Sequence, residues 1–149
     1  MYQVAADRLL EFTDRHAEEI AQEWWKNVRK NPKVRSYHNL NEKDIVPQTV
    51  LFYKNLKHFY NSENPFEATA SFAKKYAEMA FKLNIPLHEV IFALVMMRRQ
   101  MWIVAEFQAL FINALDIHQA TDSINRTVLL TDYATYSIVQ KYQELSSKA

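Results

Sequence analysis

The chain contains neither glycine nor cysteine among its 149 residues. Tight hairpin turns lean on glycine for positive φ, so its absence argues against a sheet-rich fold. It also removes every glycine-dependent phosphate loop: Walker A, dinucleotide fingerprint and glycine-rich kinase loop. The lack of cysteine excludes disulfides, thiol catalysis and cysteine zinc sites, and fits a reducing cytoplasm. Neither sign of charge is in excess, because eighteen Lys and Arg stand against seventeen Asp and Glu. Such a balance carries no electrostatic footprint for nucleic acid. Long apolar runs are missing too. The longest, Val90 to Met97, stops at Arg98-Arg99, far short of the roughly 20 residues of a membrane span. The opening Met1-Tyr2-Gln3-Val4-Ala5-Ala6-Asp7 has no basic and apolar regions of a signal peptide. The expectation is a cytoplasmic protein with no membrane or nucleic-acid partner.

What is present reads as helix. The length fits one domain, residues 1–149, with enough chain to bury a core. From about Val4 to Lys30, Leu9, His16, Ile20, Trp24 and Val28 follow helical spacing, with Pro32 as the stop and Thr13-Asp14 as a break within it. Asn41-Glu42-Lys43-Asp44 resembles a cap with an acidic first turn, and Pro47 suggests that regular helix starts only there. Asn64-Pro65-Phe66-Glu67 opens a third helix, whose stripe of Ala70, Ala73, Ala77 and Ala80 lets a neighbour approach closely. Pro86 starts a fourth, apolar on nearly every side and therefore expected to be central. Asp116-Ile117-His118-Gln119 starts the fifth. The expected fold is all-α, a bundle of five to six helices with a long C-terminal helix.

That last helix carries the clearest pattern. Ile117, Thr121, Ile124, Val128, Thr131, Thr135, Ile138, Tyr142 and Leu145 alternate spacings of four and three, a heptad seam about four repeats long. A second stripe, Leu129 or Leu130 with Tyr133 and Tyr136, points elsewhere. The seam reads either as one broad core-facing stripe or as a homodimer contact, since periodicity does not separate the two. The chain stops in Ser146-Ser147-Lys148-Ala149 without a helix stop, which suggests a helix that continues into a downstream signalling element.

No catalytic constellation emerges. Di-iron bundles need Glu-x-x-His on one helix face, and the residues three before the five histidines are Thr13, Arg35, Asn55, Ile85 and Leu115. His88-Glu89 is followed by Val90-Ile91-Phe92, not by a zinc-binding continuation. Haem needs one well-placed histidine, and His16, His58 and His88 are the candidates; each also reads as an ordinary hydrogen-bonded histidine. Phosphotransfer through His16 is disfavoured by Glu18 and Glu19, which repel an incoming phosphoryl group. Lys26, Arg29, Lys30, Lys33 and Arg35 cluster where the first helix ends and complement its dipole. An apolar ligand pocket would draw on the tryptophans and methionines. Its candidate lining is Trp24, Tyr53, Phe92, Met96, Arg99, Trp102 and Tyr133. The same residues at helical spacing also serve as plain core.

Two stretches resemble the N-terminal domain of RsbRD-type stressosome regulators, which also precedes histidine kinases. One is Leu9-Leu10 with Glu18-Glu19-Ile20-Ala21-Gln22-Glu23-Trp24. The other is Asn84-Ile85-Pro86-Leu87-His88-Glu89-Val90-Ile91, then Ala93-Leu94 and Arg98-Arg99-Gln100-Met101-Trp102. Met97 stands where the family has leucine, and Asn84 where it often has glycine. The resemblance implies a globin-related sensory domain, usually dimeric, that signals to a C-terminal output domain. The family shares no catalytic residues and is generally without haem, so the resemblance implies neither a catalytic site nor a cofactor.

Overall fold

A computed structural model describes the backbone of residues 2–107 and 114–148, and the side chains of residues 9–104 and 122–148. The described residues form six α-helices and one short 3-10 helix, with no strand. Helix α1 spans Tyr2–Arg15 and α2 spans Ala17–Val28. The joint is His16, with φ −111° and ψ 20°. Its N–H still donates to the Phe12 carbonyl at 3.0 Å, and its own carbonyl accepts from Ile20 at 2.9 Å. The ladder therefore runs through a kink rather than stopping. The break lies two residues beyond the expected Thr13-Asp14, because Thr13 is buried inside α1 and caps nothing.

A 3-10 helix at Pro32–Tyr37 follows, a segment that sequence periodicity does not reveal. The Asn31 side chain accepts from the Lys33 N–H at 2.9 Å to start it. Val34 and Tyr37, three apart, are the two residues it buries, as a three-residue turn requires. Helix α3 spans Glu42–Asn61, capped by Asn41 on the Lys43 N–H. Pro47 lies inside it rather than starting it. The proline leaves the Lys43 carbonyl without its ladder partner, but Lys43 and Pro47 are both exposed, on a side of the helix open to solvent.

Helix α4, Pro65–Lys82, has Asn64 as cap and proline at its first position. Its alanine stripe is buried, and its most extensive neighbour is α6. The end of α4 is a Schellman motif. Asn84 takes φ 59°, the Asn84 N–H donates to Phe81 at 3.0 Å, and the Ile85 N–H donates to Ala80 at 3.1 Å. Ile85 is buried against this turn. Asparagine tolerates the left-handed region better than most residues, and glycine tolerates it best. Asn84→Gly should therefore raise stability by about 0.5–1 kcal/mol, and Asn84→Val should lower it by more than that. Urea denaturation of the two variants reads both signs.

Helix α5 spans Leu87–Phe107 and α6 spans Ala114–Lys148. No helix among the described residues is long and apolar enough to cross a membrane. The apolar α5 is not sheathed all round: Val95 and Arg99 are exposed. It packs on α1, α2, the 3-10 helix and α6. Helix α6 packs on α1, α3, α4 and α5. Two of its threonine hydroxyls return to their own helix, Thr131 to the Thr127 carbonyl and Thr135 to the Thr131 carbonyl, both at 2.8 Å, whereas the buried Ser123 and Ser137 hydroxyls have no partner among the described residues. Thr131 can then enter the core without an unpaired donor. Four tyrosines, Tyr37, Tyr53, Tyr76 and Tyr142, lie in the core. Burial pushes each phenol above its ordinary range, because the core disfavours the charged phenolate.

Candidate functional site

Four of the seven residues expected around a ligand pocket converge on one groove. Trp24, Phe92, Met96 and Arg99 line a depression of about 570 Å³ between the end of α2, the 3-10 helix and α5. The α5 wall is a helical stripe, because Phe92, Met96, Arg99 and Ile103 recur at spacings of four, three and four. Phe92, Met96 and Ile103 are half-buried and Arg99 is exposed. Trp24 closes the floor. It is fully buried, and its indole N–H donates to the Ala93 carbonyl at 2.9 Å. Asn27 donates to the buried Gln100 at 3.1 Å, fixing the amide pair that joins α2 to α5.

The opposite wall is cationic. Lys30 and Lys33 line it, and the Lys33 ammonium stands 5.5 Å over the Phe92 ring. The 3-10 helix that carries Lys33 is held to α5 by Glu89. One carboxylate oxygen of Glu89 accepts from the Ser36 N–H and the other from the Ser36 hydroxyl, each at 2.9 Å. The sequence alone assigns Glu89 to the first turn of α5. Its second role, as a strut for Lys33, arises from a contact 53 residues away in the chain.

The other three expected lining residues lie elsewhere. Tyr53 is wholly in the core and donates to the Met97 carbonyl at 2.8 Å. Tyr133 packs edge-on against Phe66 at 5.2 Å, near the start of α4. Trp102 is half-buried and does not line the groove. Tyr53 and Tyr133 belong to α3 and α6, and Trp102 leaves the Phe92–Ile103 stripe of α5, distinctions that composition does not resolve.

The heptad seam is likewise divided. Ile117 and Thr121 lie outside the residues whose side chains are described. Of the rest, Ile124 is 42% exposed, Val128, Thr135 and Leu145 are half-buried, and Thr131, Ile138 and Tyr142 are buried in this domain's own core. The reason is geometric. A strict seven-residue repeat drifts by about 20° per heptad around a straight α-helix. The seam therefore begins at the edge of the packed face and winds into it. The core stripe proper is Ser123, Thr127, Leu130, Ala134 and Ser137, with Ile138 and Tyr142. The outward face keeps Leu129 and Tyr136 exposed.

The histidine options meet a similar test. His58 and His88 are exposed, and His16 lies against Phe12 at 4.3 Å and 3.6 Å from Glu19. A haem pocket needs an axial ligand facing an enclosed volume of several hundred Å³ (about 300 or more). Among the described residues, a void inside the core, beside Phe52, Leu94 and Ile138, measures about 10 Å³ and no histidine lines it. These residues do not fit haem in this conformation. Glu19 beside His16 opposes a phosphoryl group there.

A second depression, of about 880 Å³, separates α2 from α3. It has an apolar floor that includes Val50 and Leu51, and an acidic rim of Glu18, Glu19 and Glu23. Sequence reading missed it. Its one signal is Leu51, an exposed leucine on α3. No family model, curated protein or solved structure matches the chain.

Proposed function

We propose that this chain is a non-catalytic sensory or regulatory input domain of a bacterial signal-transduction protein. It passes its signal along α6 to a second copy or an output element. The observation that carries this reading is the two-sidedness of α6. One side is packed by α1, α3, α4 and α5, while Leu129 and Tyr136, seven residues apart on one face, stay on its surface. Large apolar side chains left exposed along one helix are what a partner helix covers.

A physical link joins the groove to that helix. Arg99 lines the groove, and its neighbour Arg98 faces the other way, donating to the Thr131 hydroxyl at 2.9 Å with Asp132 at 4.0 Å. A turn of α5 that adjusts Arg99 also moves the Arg98 anchor on α6. The resemblance to the stressosome sensory domains adds support, including a globin-related arrangement of the helices. Asn84, where that family often has glycine, sits in the left-handed conformation that favours glycine.

Sedimentation velocity over a range of concentrations tests the reading. The expected result is a dimer that Leu129→Asp with Tyr136→Asp converts to a monomer, with an unchanged circular dichroism spectrum. Both side chains are already partly exposed, so the charges fall on an interface rather than in the core. A wild-type monomer at all concentrations sinks the dimeric form of the proposal.

A further inference from the structure

We infer that the groove between α2, the 3-10 helix and α5 is a binding site for a small amphipathic organic anion, a carboxylate on a short apolar chain or ring. The inference deepens the reading above, naming the ligand class of the input domain's groove. Three observations point to it. First, Lys30, Lys33 and Arg99 all line the groove, and no carboxylate among the described residues does. In a chain of net charge +1, a one-sign lining is a local departure. Second, none of the three forms a salt bridge among the described residues, in common with most of the other described cations, so all three remain available to an anion. Helix-dipole compensation accounts for Lys30, next to the end of α2. It does not account for Arg99, which lies well inside α5. Third, the cations flank an apolar strip, Phe92, Met96 and Ile103, that the domain leaves half-covered.

Each half of the lining excludes an alternative ligand. An apolar molecule alone leaves three cations facing it without a counter-charge. Inorganic phosphate alone leaves the strip in contact with water. A carboxylate accepts two parallel hydrogen bonds from a guanidinium and pairs with an ammonium. Its alkyl or aryl portion then covers Phe92 and Met96, removing their exposed area from water. The groove volume of about 570 Å³ suits a molecule of this kind, since small-ligand pockets run from about 300 to 1,000 Å³.

The test is an amide-resolved NMR titration of the whole chain with octanoate, octanol, octylammonium and inorganic phosphate, each kept below any micelle concentration. Saturable octanoate binding is expected, with shifts confined to residues 24–33 and 92–103. Octanol, octylammonium and phosphate should each bind at least about tenfold more weakly. Arg99→Gln and Lys33→Gln should each weaken octanoate by about tenfold, and neither should alter the folded spectrum elsewhere. Equal binding of octanol and octanoate would overturn the inference, because the cations would then play no part. So would equal binding of phosphate, shifts lying outside the groove, or no saturable binding. Binding to phosphatidylglycerol vesicles without binding of free octanoate would assign the cations to a membrane surface instead, and would also overturn it. Sedimentation of the same samples keeps the two ideas apart: a dimer that does not bind octanoate removes only the ligand, and a monomer that binds it removes only the dimer.

Discussion

Trp24→Ala is expected to lower stability by about 3–5 kcal/mol, enough to leave much of the protein unfolded at physiological temperature. Trp24 is the largest of the fully buried side chains. It meets Tyr37 edge-on at 6.3 Å and Trp25 at 6.2 Å, and ties α2 to α5 through the Ala93 carbonyl. Alanine removes the ring from a site that three elements close around, so the cavity cannot collapse without moving α5. Trp24→Phe keeps most of the apolar volume and gives up the indole N–H. The Ala93 carbonyl lies mid-helix and retains its ladder partner, so this variant should cost only about 1–2 kcal/mol. Thermal unfolding should separate the two by about 5–15 °C, since each kcal/mol moves the midpoint of a domain this size by about 2–4 °C. Equal midpoints for the two variants would mean that the ring volume does not hold α2 on α5.

The second large effect is expected at Glu89. Glu89→Ala removes the acceptor of both the Ser36 N–H and the Ser36 hydroxyl. Bonds to a charged acceptor contribute about 1.5–3 kcal/mol each, and a stranded buried donor is costly in its own right. Because Ser36 is half-buried, part of that loss is returned by water. The net expectation is about 2–4 kcal/mol, with Glu89→Gln closer to 1 because its amide oxygen still accepts from Ser36. Amide exchange should accelerate first in residues 32–37, ahead of α4 and α6. That pattern distinguishes a local strut from a general core defect. Loosening the segment also displaces Lys33, so Glu89→Ala should weaken octanoate binding more than Glu89→Gln does. Unchanged exchange in residues 32–37 would remove Glu89 from this role.

Much of the fold was legible because its signals are local. Caps at Asn41 and Asn64, the prolines Pro65 at the start of α4 and Pro86 just ahead of α5, and the alanine stripe of α4 all act within one or two helical turns. Periodicity carries them directly. The 3-10 helix was invisible because six residues with one turn's spacing give no period to detect. The kink fell at His16 rather than Thr13 because burial of Thr13 outweighed its local preference for capping. Pro47 lies inside α3 for the converse reason: an exposed first turn tolerates a missing N–H that a buried one would not.

The candidate site was legible only in part. Trp24, Phe92, Met96 and Arg99 share the groove, yet Lys30, Lys33, Asn27 and Gln100 complete it. The sequence alone presents Lys30 and Lys33 as dipole partners of α2, which describes their local setting. Their position opposite Arg99 follows from how the 3-10 helix docks on α5, through a Glu89–Ser36 contact that no window of sequence contains.

The sequence by itself determined the class of the fold and most helix boundaries. With neither glycine nor cysteine, and with helical periodicity almost throughout, an all-α chain without hairpins was the one outcome consistent with every local preference. It also placed a long amphipathic helix at the end of the chain. Only the tertiary structure decided which side of that helix is buried. The heptad seam and the core stripe are offset by one residue, and a drift of about 20° per heptad is enough to carry Ile138 into the core while Ile124 stays at the surface. Periodicity fixes which residues share a face. The rotation of that face toward the neighbouring helices is set by their packing, here above all by the alanines of α4.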